Sequence, residues 1–431
     1  MEHIIPAWML IPFVAMLLCI AILPLTKLEE WWESNLHKLY VSLILGIPVG
    51  AWLVANGMGH ELEHQMIYDY VPFILLLMAL FVTTGGIRIK GDLEAKPITN
   101  TCIMAVGWGL ASFMGTTGAA MLLIRLLIQT ISQRKYKAHT ILFFIAIVAN
   151  CGGLLTPLGD PPLFLLFQKG AEFTWFFSLT PEWAVTGLLL LITYFCIDTY
   201  FYKKEPLENL EADKTQKTSI SFGGLINIFW LLCVIASTMF INGKYIPAMA
   251  EHDAPFYVKL LREWAFILII ALSMLTTKKE TRIANNFSWV PILEVACVFV
   301  GIFATMTPAL MFLGNMKEEI QQVLSEPWQY VYCTGTLSAF LDNAPTAMVF
   351  NEMAPANPAI PGLANDLFLR AVSIGAVFFG ALTYIGNGPN FMVKSIAEQS
   401  GIKMPSFFGY MGKFSLIVCL PIYIIVQLIF I

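Results

Sequence analysis

Long apolar runs alternate with short polar segments from one end of the chain to the other. A transmembrane helix needs about 17–25 predominantly apolar residues. The pattern predicts ten membrane spans, at about 4–25, 38–55, 70–87, 139–168, 181–202, 223–241, 263–275, 291–313, 367–396 and 413–431. The 431 residues are 58% hydrophobic and 13% charged, about half the charged fraction of an average soluble domain. We therefore expect an all-α polytopic membrane protein.

Two further apolar stretches, 97–131 and 328–353, are too interrupted to form one clean span each. Residues 115–118 break the first and residues 342–345 break the second. Non-helical backbone at membrane depth is tolerated where protein buries it or where it lines a cavity. A helix pair that enters and leaves on the same side accommodates such a break, so we predict that both stretches are re-entrant hairpins.

With both hairpins in place, the lysines and arginines of the loops separate into a group of 17 on one side and a group of 5 on the other. The larger group is Lys27, Lys38, Arg88, Lys90, Lys96, Arg134, Lys135, Lys137, Lys203, Lys204, Lys214, Lys217, Lys278, Lys279, Arg282, Lys403 and Lys413. The smaller group is Lys169, Lys244, Lys259, Arg262 and Lys317. Positively charged loops mark the cytoplasmic side. We therefore predict that the larger group faces the cytoplasm and that both termini lie outside it.

Two short segments are similar to each other, TPLGDPPLF at 156–164 and TYIGNGPNF at 383–391. They are 227 residues apart (383 − 156). The same offset aligns the two hairpin tips and places the neighbouring spans of one unit on or near those of the other. The first unit starts from the cytoplasmic side and the second from outside, so the predicted repeat is inverted. Inverted repeats with paired broken helices around a midplane site are typical of secondary transporters.

The repeat divides the chain into four parts. An N-terminal transmembrane helix and loop, 1–37, precedes the first repeat, 38–202, with its hairpin at 97–131 and a broken helix at 139–168. A linker with one transmembrane helix, 203–262, leads to the second repeat, 263–431, with its hairpin at 328–353 and a broken helix at 367–396. The Gly/Pro segments are expected to unwind the broken helices, which frees backbone carbonyls and half-helix ends to face a substrate.

Oxygen- and amide-bearing side chains gather at the predicted tips and breaks. The first repeat offers Thr116, Thr117, Thr156 and Asp160, and the second offers Asp342, Asn343, Thr346, Thr383, Asn387 and Asn390. Hard cations prefer oxygen ligands. An ionisable group inside the membrane is costly and is by default functional. The carboxylates of Asp342 and Asp160 are therefore the leading candidates for cation binding.

The candidates also have structural interpretations. Asp160 and Asp342 each precede a proline-containing helical segment and could cap its N-terminus. Thr116 and Thr117 could bond within their own helix. The other charges inside or at the edge of the apolar segments are Arg125, Glu352 and Arg370. We expect these three to snorkel to an interface or to form structural pairs.

Three segments carry a family resemblance: NCGGLLTPLGDPPLF at 150–164, SAFLDNAPTAMVF at 338–350 and GNGPNFMVKSIAEQSG at 386–401. They closely resemble signatures of the NhaD-type sodium/proton antiporters, which belong to the ion transporter superfamily alongside arsenite and citrate transporters. The resemblance covers essentially the whole chain. It implies a scaffold and a transport domain built from the hairpins and broken helices, a homodimer, and an elevator-like shift of the substrate.

Carried onto matching positions, the resemblance implies a cation site formed by Asp342, Asn343, Thr346, Asn150, Thr156, Asp160, Thr383 and Asn387. Na⁺ is expected at Asp342, Asn343 and Asp160. NhaD-type proteins commonly carry an Asp-Asn-like tip on the first hairpin, whereas the tip here is Gly-Thr-Thr-Gly at 115–118. The Ser-Asn-Thr tips of dicarboxylate carriers are absent, which argues against a carboxylate substrate.

The predicted function is Na⁺(Li⁺)/H⁺ antiport across a bacterial inner membrane. The expected partners are Na⁺ or Li⁺, protons, the bilayer and a second copy of the chain, with no cofactor and no nucleic acid. A carrier of arsenite or of a citrate-like carboxylate is the alternative from the same superfamily. A membrane-embedded enzyme would need a Ser/His, Cys/His or His/His cluster, which the apolar segments lack. A sensor built on a transporter fold is the remaining alternative.

Overall fold

The chain folds into a bundle of apolar helices, and the predicted all-α polytopic membrane fold is confirmed. The computed structural model describes residues 5–251 and 253–431. Within these residues, six helices are long and apolar enough to cross a bilayer: Asn35–Ala55, Gly59–Thr84, Ala138–Leu155, Phe173–Tyr202, Val290–Asn315 and Phe407–Phe430. Shorter apolar helices are Ala7–Ile22, Thr116–Thr130 and Ile226–Phe240. The predicted first span begins at residue 4, which lies outside the described residues.

Helices follow one another with short connections. The α-helices of the first half are Leu10–Ile22, Glu29–Trp32, Asn35–Ala55, Gly59–His64, Val71–Thr84, Pro97–Met114, Thr116–Thr130, Ala138–Ile147, Pro161–Gln168, Thr180–Tyr202 and Leu207–Thr215. Those of the second half are Ile226–Phe240, Phe256–Lys259, Leu261–Thr276, Lys279–Ala284, Val290–Asn315, Lys317–Val323, Pro327–Leu341, Asn343–Met353, Asp366–Phe379, Gly388–Gln399, Phe407–Tyr410 and Leu420–Phe430. Gln65–Tyr70 and Met411–Cys419 are π-helical, and Ala7–Met9, Leu23–Leu25, Cys151–Leu155, Phe173–Leu179, Pro247–Met249 and Gly380–Leu382 are 3₁₀ turns.

Two small antiparallel ribbons accompany the helices. Arg88–Asp92 pairs with Thr218–Gly223, with Arg88 opposite Gly223. The strands Ala356–Asn357 and Ile360–Ala364 form the second ribbon. The first ribbon ties the linker between the repeats to the segment that precedes the first predicted hairpin.

Each predicted hairpin consists of two helices that turn at a single residue. The first hairpin is the helix pair Pro97–Met114 and Thr116–Thr130, and the second hairpin is the pair Pro327–Leu341 and Asn343–Met353. The turn residue is Gly115 in the first, with φ 79° and ψ 148°, and Asp342 in the second, with φ 76° and ψ 139°. Glycine adopts such positive φ values readily because it has no Cβ, whereas Asp342 adopts them under strain.

Each predicted broken helix consists of two half-helices joined by a 3₁₀ turn and extended residues. The first broken helix is Ala138–Ile147 with Pro161–Gln168, and the second is Asp366–Phe379 with Gly388–Gln399. Proline stands in the first turn of each second half, at Pro161 and at Pro389. Its missing N–H costs no bond there, since the first N–H groups of a helix have no intrahelical partner.

The backbone of the first break recurs in the second at the predicted offset of 227 residues. Thr156 has φ −145° and ψ 160°, and Thr383 has φ −136° and ψ 167°. Asp160 has φ −146° and ψ 143°, and Asn387 has φ −152° and ψ 140°. The similarity of the two sequence segments therefore corresponds to one local structure that is formed twice.

Glycine pairs let the chain cross itself inside each break. A Cβ added to Gly159 would lie 2.0 Å from the carbonyl oxygen of Gly153, and one added to Gly386 would lie 2.6 Å from the carbonyl oxygen of Gly380. Real Cβ atoms essentially never approach another atom this closely. Both breaks thus depend on glycine for their close backbone approach.

We expect Gly159→Ala to destabilise the protein by about 3 kcal/mol, the upper range for overpacking, because the atom in the way belongs to the backbone. Gly109→Ala is the matched control, since a Cβ there meets no atom within 4 Å. Thermal unfolding of both variants in detergent would measure the difference. Equal melting temperatures would contradict the close approach.

An ionic cluster lies at the ends of the first hairpin and the first broken helix. Arg134 donates to Asp198 at 2.9 Å and to Glu205 at 3.1 Å, and all three side chains are buried. His139 contacts the same Asp198 oxygen at 2.8 Å, and Asn100 donates to the other oxygen at 3.1 Å. These contacts join the hairpin, the broken helix and the linker on the side that the charge distribution assigns to the cytoplasm.

Arg134→Gln should lower the free energy of unfolding by about 3–5 kcal/mol, since removing one partner of a buried ion pair leaves the carboxylates uncompensated. Lys135→Gln is the control, because Lys135 is exposed and one residue away. Denaturation of the purified protein in detergent would compare the two. A loss for Arg134→Gln no larger than for the control would refute the interpretation.

Outside the hairpins, the helices Asn35–Ala55 and Val290–Asn315 pack at short range. A Cβ on Gly301 would lie 2.6 Å from Ser42, whose hydroxyl donates to the carbonyl of Cys297 at 2.7 Å. Small residues and interhelical hydrogen bonds are typical of helix contacts in membranes. This contact joins an element of the first repeat to an element of the second.

Candidate functional site

Asp160 lies where the two hairpins and the two broken helices meet. It ends the extended segment of the first break and directly precedes the half-helix Pro161–Gln168. Thr116 donates to its Oδ1 at 2.9 Å, Asn387 donates to the same oxygen at 3.1 Å, and Asn343 donates to Oδ2. All four side chains are buried. The carboxyl group is thus held by three uncharged donors.

These donors come from both repeats, and one contact reveals the local symmetry. Asn387 lies 227 residues after Asp160, which makes the two residues counterparts in the repeat. Counterparts can touch each other only if the axis that relates the repeats passes close to them. If the two predicted repeats are related by a pseudo-two-fold axis, the axis passes close to the contact between Asp160 and Asn387. One counterpart is an acid and the other an amide, so the site itself is asymmetric.

A second layer of amides holds this centre. Asn387 also approaches the Asn150 oxygen at 3.3 Å and the Ala149 carbonyl at 3.2 Å. Asn150 donates to Asn390 at 2.7 Å, and Asn390 donates to the carbonyls of Gly380 and Thr383 at 2.8 and 2.9 Å. The two predicted asparagines thus position Asn387 and satisfy the carbonyls of the break.

The threonines of the two breaks do not point at Asp160. Thr156 donates to the carbonyl of Ser112, and Thr383 donates to the carbonyl of Ala339, so each fixes its break to the first arm of its own hairpin. Each hydroxyl also accepts a backbone N–H two residues on, at 3.1 Å in both repeats. These two predicted site residues therefore serve the geometry of the break.

Asp342 occupies the tip of the second hairpin. Its side chain accepts from the backbone N–H of Ala344 at 3.1 Å, and its carbonyl accepts from the Thr346 hydroxyl at 2.7 Å. In the described part of the chain, no side chain donates to this carboxylate. Asp342 is only partly buried, so it caps a helix and still presents an oxygen to its surroundings.

A cavity of about 120 Å³ lies beside this cluster. Its walls include the first residues of four helices, and Thr117, Asp342, Asn343 and Asn387 contribute polar groups to them. Each helix start carries roughly half a positive charge, which the two carboxylates counter. No lysine, arginine or histidine of the described residues lines the cavity. The cavity is thus a small, mostly apolar chamber whose wall contains one carboxylate, that of Asp342, and two side-chain amides, those of Asn343 and Asn387.

Several contacts lay beyond what the sequence pattern indicated. The Ser112 hydroxyl donates to the Gly152 carbonyl at 2.5 Å and accepts from Leu155 at 3.2 Å, although Ser112 precedes the predicted tip by three residues. Arg370 pairs with Glu182, as expected of a structural charge.

Within the residues that the structure covers, no group of three or more His, Cys, Asp or Glu is placed to hold a metal ion as a cluster.

Comparison with known proteins points to transport. The family model CitMHS_2, described as "Putative citrate transport", matches residues 2–431. The chain is 22% identical over 371 residues to the "Uncharacterized transporter Rv2684" of Mycobacterium tuberculosis, which is 81% of this chain and 83% of that protein. It is 23% identical over 324 residues to the "Inner membrane protein YbiR" of Escherichia coli, 72% of this chain and 76% of that protein.

Proposed function

Because the chain belongs to this citrate-transport family and is a polytopic membrane protein, we propose that it is a secondary transporter that exchanges Na⁺ or Li⁺ for protons across a bacterial inner membrane. The observation that carries the proposal is the environment of Asp160. Its carboxyl group is buried among Thr116, Asn343 and Asn387 and has no cationic partner among the described residues. A buried carboxylate without such a partner is expected to hold either a proton or a metal cation.

Exchange follows if the cation and the proton compete for the same oxygens. Na⁺ is a hard cation, and the oxygens of Asp160, Asp342 and the neighbouring amides are the ligands that hard cations prefer. Protonation of the carboxylates removes the charge that attracts Na⁺, so a proton taken up on one side releases the cation there. Deprotonation on the other side restores the site. Na⁺ and protons are thus bound by the same carboxylates and are carried across the membrane in opposite directions.

A carboxylate substrate is the second candidate, since the family description names citrate. Four helix N-termini around one cavity favour a negative charge. Against this, the substrate would meet the carboxylate of Asp342 in the cavity wall. The cavity, of about 120 Å³, is also smaller than the roughly 300–1,000 Å³ of pockets for drug-sized organic ligands. The small size of the cavity and the carboxylate in its wall therefore favour the inorganic cation.

The deciding experiment uses everted membrane vesicles that contain the protein and hold a respiration-driven pH difference reported by a fluorescent dye. Na⁺, Li⁺, K⁺, arsenite and citrate are added in turn. We expect Na⁺ or Li⁺ to dissipate the pH difference and the other solutes to leave it intact. Vesicles that lack the protein control for endogenous exchange.

Citrate-dependent flux without a response to any cation would replace the antiporter with the carboxylate carrier. Arsenite flux alone would assign the chain to arsenite transport. A trace that is silent for Na⁺ and Li⁺ therefore refutes the proposal, because the assay reads exchange of these cations directly.

A further inference from the structure

Arg125 is a charged residue on the second arm of the first hairpin that the proposed exchange does not use. It lies ten residues after Gly115, or about 15 Å along the helix. It lines a cavity of about 70 Å³. This cavity shares Phe81, Thr117, Gly118 and Pro291 as walls with the 120 Å³ cavity beside Asp160, which is called the central cavity below. Its guanidinium donates at 3.1 and 3.2 Å to the side-chain oxygen of Asn286 when that amide is oriented to accept. It forms no ion pair with the described residues.

Glu352 is the repeat counterpart of Arg125, 227 residues later and again ten residues after the turn of its hairpin. It is partly buried and forms no ion pair with the described residues. Lys169 and Lys317 act on it electrostatically from a greater distance. The two repeats therefore place opposite charges at equivalent points of their hairpins.

The surroundings of the two charges differ in packing. Ile87 and Arg125 both line the 70 Å³ cavity. Their counterparts, Gly314 and Glu352, lie against each other, and a Cβ on Gly314 would be 3.2 Å from the Glu352 carboxylate. Arg125 thus borders a cavity next to the 120 Å³ cavity, whereas the Glu352 carboxylate packs against the backbone at Gly314.

The distance along the arm places each charge near a membrane surface. Half of a bilayer's hydrocarbon core is about 15 Å thick, so a residue about 15 Å from a tip near the midplane reaches the interface. The arms of an inverted repeat point to opposite sides. With the orientation predicted from the loop charges, Arg125 is therefore expected near the cytoplasmic surface and Glu352 near the external surface.

We infer that Arg125 and Glu352 are the charge-selecting residues of the two routes to the Asp160 site, with Arg125 opposing cations at the cytoplasmic entrance and Glu352 attracting them at the external entrance. The inference rests on the proposed function for the sign of the transported charge. A fixed charge beside a narrow route raises or lowers the local concentration of ions. Selection at the entrances thus adds to the selection that the carboxylates exercise at the centre.

The test compares apparent KM values for Na⁺ from each side, with Arg125→Gln in everted vesicles and Glu352→Gln in right-side-out vesicles. We expect Arg125→Gln to lower the cytoplasmic KM by about threefold and Glu352→Gln to raise the external KM by about threefold, because Coulomb forces weaken with distance and screening. Arg125→Lys and Glu352→Asp should preserve the native values. Lys403→Gln and Glu318→Gln, exposed charges on the same two sides, are the matched controls.

The dependence of the KM shifts on ionic strength distinguishes an electrostatic role of the two charges from a structural one. Both shifts should shrink when choline chloride raises the ionic strength from about 0.01 to 1 M, which shortens the Debye length from about 30 to 3 Å. Unchanged KM values, or shifts of the same sign in both variants, would overturn the inference. If wild-type vesicles carry citrate instead of Na⁺, the proposed function fails, and the inference then requires both shifts with reversed sign.

A second measurement does not depend on transport. Arg125→Cys and Glu352→Cys, in a background without the eight native cysteines, would be treated with a membrane-impermeant thiol reagent from one side at a time. Arg125→Cys should react from the cytoplasmic side and Glu352→Cys from the external side. Reaction of both from the same side would overturn the inference, because the two entrances would then not lie on opposite faces.

Discussion

Replacement of Asp160 by asparagine is expected to abolish Na⁺- and Li⁺-dependent dissipation of the pH difference in everted vesicles. Asn has the same shape and still accepts from Thr116 through its oxygen, so the fold should survive. The charge is lost, and with it the exchangeable proton. The variant tests whether the one ionisable group of Asp160 carries the coupling between Na⁺ and protons.

The expected loss of Na⁺ affinity is large because the Asp160 carboxylate and a bound cation would be close together and shielded from water. Two unit charges about 4 Å apart attract by about 4 kcal/mol at the effective dielectric constant of a protein, which corresponds to roughly a thousandfold in affinity. At any practical sodium concentration, the variant should be indistinguishable from vesicles without the protein. Asp160→Glu should retain partial activity, since the charge remains and only its position changes.

Asp366→Asn is the matched control. Asp366 is an acid of the second broken helix that bonds to Trp175 at 2.5 Å, away from the cavity. The Asp366→Asn variant should exchange Na⁺ for protons at close to the native rate. If Asp160→Asn is purified in native yield and melts at the native temperature but still exchanges Na⁺ for protons, Asp160 is a structural cap and the proposed function loses its main support.

The hairpins and breaks could be predicted from sequence because glycine, proline and polar residues interrupt apolar helices there. The repeat offset then aligned them without any structure. The positions of the contacts could not be predicted in the same way. That Asn387 reaches Asp160, and that Thr156 turns instead to the carbonyl of Ser112, depends on where the chain crosses itself at Gly153 and Gly159.

Arg125 and Glu352, which occupy equivalent positions in the two predicted repeats, show another limit of what the sequence alone can indicate. Their offset is visible in the sequence, yet each residue considered alone is typical of a charge that snorkels to an interface. The structure adds that Arg125 borders a cavity next to the central one and that Glu352 faces Gly314 without an ion pair. The two charges become comparable only when the predicted repeat offset is combined with these contacts.

The turn of the second hairpin offers a way to separate function from stability. The φ and ψ angles of Asp342 are close to a region of the Ramachandran plot that is essentially restricted to glycine. A non-glycine residue with such angles costs about 1–3 kcal/mol of stability. Its counterpart Gly115 makes the same turn without a side chain. Retention of an acid where glycine would be free of this strain is expected if the carboxylate is needed for function.

Asp342→Gly is therefore expected to lose most of its Na⁺/H⁺ exchange, about a hundredfold or more, while its free energy of unfolding changes little, because the gain from relieved strain and the two losses nearly cancel. Removal of the strain contributes about 1–3 kcal/mol. The lost cap on Ala344 costs about 1 kcal/mol, and the added backbone freedom costs about 0.5–1 kcal/mol. Asp342→Ala loses the same cap but keeps the strain, so it should melt at a lower temperature than Asp342→Gly and be equally inactive.

Melting temperatures in detergent and exchange rates in vesicles, measured on the same preparations, test both halves of this prediction. A stable and fully active Asp342→Gly protein would show that the carboxylate only caps its helix. An inactive Asp342→Gly that melts well below the native protein would show that the aspartate is needed for folding. Only the combination of preserved stability and lost exchange assigns the strain at Asp342 to ion transport, because each other mechanism moves the two measurements together.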